Sequence, residues 1–410
     1  MTKQSVLLLE AYGNSGEVLV DAILAEGFGV VVATHRALFE GYSERLRGKI
    51  DTTLFVDYAS ATIRADLVDA ARPHPIAGVV TGWEFFTPLA AEVAADLALP
   101  GNDPDLGLAA RHKWHMAKAL HGAGVSHAVT VHGADLDALT RQIESNGLDY
   151  PVVVKPVENA GSIGVRVVED PFELRPAVAE AQNWPLEFPH DVPLDTTVIA
   201  QSYVGGREYS VESLASDGEI RHVAVTEKAT TQGAFRAETG HTVPAPLEEP
   251  GRGRILEETT KALRALGFRN GAAHTEVKLW NGRPWIIESG LRPAGDHIVK
   301  LVTLATGTDY PRAYVRAATG GGLPEVDAAQ RHAGVRFVFP ERAGKVAAVP
   351  AFEAGEGVVE GEILVSEGDA VGGAADNISR LAYVIATGSD RAELDGRLDA
   401  AVKSVQVDVE

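Results

Sequence analysis

GAAHTEVKLWNGRPWIIESGLRPAGDH, residues 271–297, alternates over Ala272 to Trp280 as a half-buried strand does, turns at Asn281-Gly282, and resumes as a strand from Pro284 to Ser289. A β-hairpin is expected, and its loop length carries the chemistry. A three-residue loop, Asn281 to Arg283, sets Trp280 opposite Pro284, and Glu276 opposite Glu288 on one face. A two-residue loop sends the two carboxylates to opposite faces, because side chains alternate with period two. Like charges directly opposite each other are destabilising, so the aligned register, which is the expectation, calls for a cation between them. Mg²⁺ suits that place, since it takes one or two carboxylates, waters and polyphosphate oxygens without a dedicated protein cage. Arg292, four residues after Glu288, is placed to neutralise a phosphoryl group there. The competing reading is an exposed hairpin with scattered charges.

A chain of 410 residues with 45% hydrophobic content has room for roughly two to three domains with buried cores. Acids outnumber bases 57 to 37, for a formal charge of -20, which argues against a nucleic-acid partner. There is no cysteine, so disulfides, thiolate metal sites and cysteine nucleophiles are excluded. The opening MTKQSVLLLEAYGNSG lacks a long apolar run of the signal-peptide kind, and nowhere do 18 apolar residues follow one another. A cytoplasmic protein without membrane association is the expectation.

Along the chain, Ser5 to Leu9 reads as a strand, Gly13 to Gly16 as a turn, Glu17 to Glu26 as a helix and Gly29 to Ala33 as a strand, with further strands at Thr53 to Val56 and Ile76 to Thr81. A parallel α/β layer follows. Gly13 and Gly16 lack the third glycine of a dinucleotide fingerprint, and a tight turn into a helix is the better reading. Glu84 closes a parallel strand, where open α/β sheets place ligands, or else serves as a helix N-terminal acid. Lys113 lies on a helix ending near Gly122.

The strand YPVVVK, Tyr150 to Lys155, leads into a small-residue loop up to Gly164 and a strand from Val165 to Val168. Such a loop suits a phosphate cover, because bare backbone N–H groups can approach the oxygens. It is not a Walker A loop, since the lysine precedes the glycines. Thr197 to Tyr203 and Tyr209 to Ala215 read as strands joined through Gly205-Gly206. EKATTQGAFRAETGHTVPAP, from Glu227 to Pro246, is polar enough to be a long loop, and with Lys228, Arg236, Glu238 and His241 it fits a substrate lid. Gly251 to Leu266 is a helix. After the glycines at 320–322 come strands at Gly334 to Phe339, near Val346 to Val349 and around Ala382 to Thr387, a turn-rich stretch from Glu353 to Asp376, and a helix from Arg391 to about Ser404.

In this order the motifs resemble the ATP-grasp superfamily of carboxylate-amine ligases, and within it the L-amino-acid ligases that make dipeptides. The resemblance implies an α/β and α+β chain: an N-terminal parallel α/β domain over residues 1–105, an ATP-grasp domain over 106–320 whose pair of subdomains clamps the nucleotide, with a lid at about 125–205, and a C-terminal β-rich appendage over 321–410. It implies ATP and Mg²⁺, or Mn²⁺, as cofactors. Lys113 matches the lysine at the entrance of the nucleotide site, and Lys155 the lysine on the α- and β-phosphates. Gly161, Ser162 and Gly164 match the mobile phosphate loop, Gln201, Ser202 and Val204 the hinge beside adenine, and Glu208 the ribose-binding glutamate. Glu276 and Glu288 match the metal ligands, and Arg292 the arginine that steadies the transferred phosphoryl group. Arg292, Lys155 and His274 form the implied catalytic set; Glu84, Lys228, His241, Arg292 and Asp296 form the implied substrate set.

Two positions depart from the family pattern. Gln201 stands where a glutamate is usual, and its amide oxygen can still accept from the adenine amino group. Gly290 stands where Glu-x-Asn supplies an oxygen, so one metal ligand must come from water, the backbone or elsewhere. The implied reaction turns a carboxylate into an acyl phosphate with ATP, and an amine then displaces phosphate. Its partners are small-molecule carboxylates and amines, with homodimerisation left open. A purine-biosynthesis ligase, a biotin-type carboxylase or a non-catalytic nucleotide-binding regulator would share parts of the pattern. Retention of both Glu276 and Glu288 favours catalysis.

Overall fold

The computed structural model describes residues 3–326, 328–352, 355–405 and 407–410. Strands β1 (Ser5–Leu9), β2 (Gly29–Thr34), β3 (Thr52–Phe55) and β4 (Ile76–Thr81) form a parallel sheet in the order β3-β2-β1-β4. β1 and β2 are apolar along their length because both faces are covered. Val6 and Leu8 pack to one side, and Leu7 and Leu9 to the other. The Gly13 to Gly16 segment is not a turn before the helix but its first turn, since the helix runs Gly13–Ala25. A Cβ on Gly16 would lie 2.2 Å from the carbonyl carbon of Ala11, so glycine lets the helix start directly off the strand.

The next unit contains β5 (Thr130–Gly133), β6 (Val152–Pro156), β7 (Arg166–Val168), the short hairpin β8 (Leu186–Glu187) and β9 (Val192–Pro193), and β10 (Val198–Ser202). β5-β10-β6-β7 make an antiparallel sheet packed against helices Leu136–Ser145 and Leu174–Ala181. Val152 and Val154 point into that core, so alternation turns Val153 and Lys155 to the cleft on the other side.

β11 (Arg207–Ser216), β12 (Glu219–Thr230), β13 (Glu238–Val243), β14 (Gly271–Trp280) and β15 (Arg283–Gly290) begin the large sheet. The chain continues through β16 (His332–Val338), β17 (Gly344–Ala348), β18 (Val358–Ile363), β19 (Ala370–Val371), β20 (Ala382–Gly388) and β21 (Asp408–Val409). The sheet order is β15-β14-β11-β12-β13-β16-β20-β18, so the C-terminal section is β-rich and its strands extend the central sheet across residue 320. The polar stretch read as a long loop is half strand: β12 runs to Thr230 and β13 spans Glu238–Val243, leaving residues 231–237 between them. Its polar side chains are there because Lys228, Thr230 and Glu238 line a charged cleft. The turn-rich stretch contains β18 and β19; its Glu353 and Ala354 lie outside the described residues. Among the described residues no helix is long and apolar enough to cross a membrane.

Sheet order reverses between β1 and β4, and the crevice past their carboxyl ends is where open α/β sheets receive ligands. Here the β8–β9 hairpin fills part of it. His190 sits between Glu10 (Nε2 to Oε2, 3.1 Å) and Glu187 (Nδ1 to Oε2, 2.9 Å), edge-on to Tyr58, Trp83 and Phe86. Tyr42 and Thr34 also donate to Glu10. Burial is the largest influence on His190 and works against its charge, but hydrogen bonds to the two carboxylates outweigh it and raise the pKa above 6.5. A raised folded-state pKa contributes stability that is fully present below the unfolded value and lost as pH rises through the folded one. The difference in Tm between wild type and His190→Gln should therefore be widest below about pH 6 and shrink at alkaline pH, with a cost on the order of 3 kcal/mol at the acid end. Thermal melts of both proteins across that range check this; a gap independent of pH would show that the imidazole acts by shape alone.

Candidate active site

The hairpin loop has two residues, not three. Trp280 pairs with Arg283, and Asn281 and Gly282 are both left-handed (φ 50° and 72°), as the tight hairpin turns require. Alternation alone would then separate Glu276 from Glu288, yet they are direct partners. The register shifts within the pair: Val277 faces Ile286, Glu276 faces Glu288, and Ile287 is left over as a β-bulge. The expected loop was wrong, and the expected alignment arises from the bulge.

Both carboxylates use Oε1 for cations of the chain itself. Glu276 pairs with Lys228, and its Oε1 lies 3.6 Å from His274 Nε2; Glu288 Oε1 lies 2.9 Å from Lys113 Nζ. Burial works most strongly against a charged Glu276, but Lys228 and His274 hold it well below the usual carboxylate range. His274 is fixed from behind by Glu212, with Nδ1 3.0 Å from both carboxylate oxygens. Burial opposes its charge too, and Glu212 overcomes this, pushing His274 up to about 9. Two carboxylates on one face with Oε2 left over fit a divalent ion. Gly290 adds nothing to that set: a Cβ there would stand 2.8 Å from Glu84 Oε2, so the space of a side chain at 290 is taken by the Glu84 carboxylate.

At the end of β6, Lys155 is buried and forms no ion pair within 4.0 Å among the described residues; burial lowers its pKa, with Glu288 opposing the shift. Lys113 also donates to the Asn159 carbonyl (2.7 Å) at the root of the phosphate loop. Gly161, Ser162 and Gly164 all have positive φ, and Ser162 Oγ donates to the Arg236 carbonyl across the cleft (3.0 Å). Gln201 Nε2 donates to Thr130 Oγ1 (3.0 Å), and Gln201 lines the cleft. Ser202 Oγ accepts from the Val129 N–H, and the Val204 carbonyl accepts from Lys278. Glu208 lies 3.7 Å from Lys278 and 4.0 Å from Lys228, and burial raises its pKa.

On the opposite side, Arg292 Nε donates to Glu84 Oε2 (2.5 Å) and Nη1 to the Pro293 carbonyl (2.7 Å). Burial opposes the guanidinium charge, and Glu84 more than restores it. Glu238 and Asp296 converge on His241, whose Nε2 is 3.5 and 3.8 Å from them, ion-pair distances too long for hydrogen bonds. Burial disfavours the imidazolium, and the two carboxylates raise its pKa in spite of that. Every residue of the expected set lines one cleft of about 290 Å³, except two. Gly164 sits behind the phosphate loop, where a Cβ would meet Ala181 Cα at 3.1 Å, and His241 is buried behind Glu238 and Asp296. Lys278, Glu212, Asn377 and Arg380 belong to the site and escaped the sequence reading. Glu212 carried a signal, a carboxylate amid the small and apolar residues of SVESLAS; Asn377 and Arg380 carried none.

The chain matches the ATP-grasp N-terminal domain over residues 22–101, the ATP-grasp domain over 148–300 and the L-amino acid ligase C-terminal domain 2 over 336–410. It is 26% identical to the uncharacterized protein y4rH of Sinorhizobium fredii, over 98% of this chain and 82% of that one. It is 29% identical to alanine–anticapsin ligase of Bacillus subtilis, over 59% of this chain and 54% of the relative, and so spans about half of that ligase's length. Its fold is that of the L-amino acid ligase of Bacillus licheniformis, with a TM-score of 0.81 at 21% identity and full coverage of both chains. Three family matches in this order, on a cleft whose paired carboxylates face buried lysines, show a chain built on the ATP-grasp domain and similar to the carboxylate-amine ligases of that superfamily.

Proposed function

We propose that the protein joins the carboxyl group of an amino acid or small carboxylic acid to the amino group of an amino acid, through an acyl phosphate, with release of ADP and phosphate. The observation that carries this reading is the corner of the paired carboxylates Glu238 and Asp296, met by Lys228 and Arg380 of the chain itself and opening into the same cleft as Lys113 and Lys155. Carboxylate oxygens there can accept from the N–H groups of an amine substrate, which a site for a carboxylate alone does not need. The C-terminal domain match and the ligase relatives support the same class of substrate. The shared nucleotide side would serve a carboxylase or a purine-type ligase equally well; the corner favours amino acids.

In this reading Lys155 takes the α- and β-phosphates, Gln201 to Val204 the base and Glu208 the ribose hydroxyls; their shared cleft supports it. Glu276 and Glu288 would hold Mg²⁺, or Mn²⁺, which neutralises phosphate charge when bound. Arg292, held by Glu84, presents its remaining donors to the γ-phosphoryl group. A carboxylate oxygen attacks the γ-phosphorus and the bond to the ADP oxygen breaks; the amine nitrogen then attacks the acyl carbon, and phosphate leaves. Such a reaction needs positioning and charge neutralisation, and no side-chain nucleophile.

Phosphate release screened over pairs of amino acids and small carboxylic acids, with product mass measured, tests the reading; ATP turnover without any amide product would sink it. Arg292→Lys should lower kcat on the order of a hundredfold while nucleotide affinity holds, because lysine keeps the charge and loses the planar fork. Lys155→Ala should instead weaken nucleotide binding, and titration beside phosphate-release assays separates the two. Gly290→Asn should displace Glu84 from Arg292 and slow turnover by about tenfold without unfolding the protein. Adding Glu84→Ala to Gly290→Asn should give no further loss, a non-additivity that a kinetic double-mutant cycle reads out.

A further inference from the structure

Residues 376–380, between β19 and β20, reach from the C-terminal section over the cleft. Asp376 caps a single turn, Asn377–Ser379, by accepting from the N–H groups of Ile378 (3.0 Å) and Ser379 (3.1 Å). The turn presents Asn377 to three parts of the site. Its backbone N–H donates to the Gly161 carbonyl of the phosphate loop (3.2 Å). Its Oδ1 accepts from the Glu238 N–H (2.9 Å), and its Nδ2 donates to Glu238 Oε2 and Asp296 Oδ2, both at 3.2 Å.

Arg380 works beside it. Both terminal nitrogens reach Asp296 (2.7 and 2.8 Å), one also donates to the Glu238 carbonyl (3.2 Å), and the guanidinium lies 3.5 Å over the Phe337 ring. Asp296 and His297 are both left-handed (φ 52° and 63°), a conformation uncommon outside glycine that Asp and His adopt more readily than most residues. Arg380 holds the Asp296 carboxylate there, and the Tyr383 ring, 4.1 Å away, packs on His297. The loop so held is the one that carries Arg292.

We propose that Asn377 is a positioning residue that joins closure of the phosphate loop to the geometry of the Glu238–Asp296 corner, so that the acyl phosphate meets the amine and not water. The inference rests on the ligase reading above. Asn377 is the residue of the C-terminal section whose main chain holds the nucleotide side while its side chain holds both carboxylates of the substrate side. If the corner loosens, water attacks the acyl carbon and the bond to phosphate breaks. The products are the original carboxylic acid and inorganic phosphate, and ATP is spent without an amide.

The measurement is amide formed per phosphate released by the full-length protein, with an amino-acid pair that the wild type joins. Asn377→Ala keeps the main-chain bond to Gly161, so ATP affinity should hold while the ratio falls and the KM for the amine rises, each by about fivefold. Asn377→Asp keeps shape and the acceptor for the Glu238 N–H, but sets a third anion against Glu238 and Asp296; it should uncouple at least as strongly, whereas a residue needed only for the turn would tolerate it. Ile378→Ala, on the exposed side of the same turn, should leave the ratio unchanged. Wild-type ratios and amine KM in both Asn377 variants would overturn the proposal, and should Asn377→Ala fail to fold, Asn377→Asp decides alone. A wild type that hydrolyses ATP and forms no amide with any pair would instead overturn the ligase reading itself.

Discussion

The cleft depends on one buried ammonium. Lys228 Nζ contacts Glu276 and Glu238 and lies 4.0 Å from Glu208, with its side chain 1% exposed. Burial is the largest influence against its charge, and Glu238 and Glu276 hold its pKa well above the ordinary lysine value. Without it, three carboxylates would share one low-dielectric pocket, and each uncompensated charge costs several kcal/mol. With it, Glu208, Glu238 and Glu276 stand together in one cleft. Lys228 reaches this place because β12 lies between β11 and β13, pairing Lys228 with Glu208 on one side and His241 on the other.

Much of this was legible in the sequence where neighbours in the chain decide the outcome. The parallel N-terminal layer follows from short apolar strands such as Val6 to Leu9, and Lys155 follows from alternation along YPVVVK. The hairpin at Asn281-Gly282 follows from its turn chemistry. The bulge at Ile287 does not, because a bulge is a property of two paired strands, and either register satisfies β15 alone. The same limit hid Asn377, which meets Gly161, Glu238 and Asp296 only through the tertiary fold.

The misread stretch from Glu227 to Pro246 has a different cause. Strands are recognised by apolar residues on a buried face, but Lys228, Thr230 and Glu238 of β12 and β13 face a charged cleft, not a hydrophobic core. Lys228 and Glu238 are buried all the same, paired with each other and with Glu276. Polarity in such a strand marks a site. His241 shows the opposite: it looks like a ligand contact in the sequence and lies behind the cleft wall, acting through Glu238 and Asp296.

Gly290 and Glu84 are best understood together. Glu84, just past β4 on the N-terminal sheet, fills the volume that a side chain on Gly290 would need and binds Arg292 from there. Glu10, at the end of β1, binds His190 of the lid hairpin. The two sides of the crevice at which an open α/β sheet ordinarily receives a ligand are thus each engaged by another part of this same chain. What the N-terminal sheet contributes is anchorage: one carboxylate holds His190 of the β8–β9 hairpin and the other holds Arg292. Gly290 lacks a side chain because one of them stands in its place.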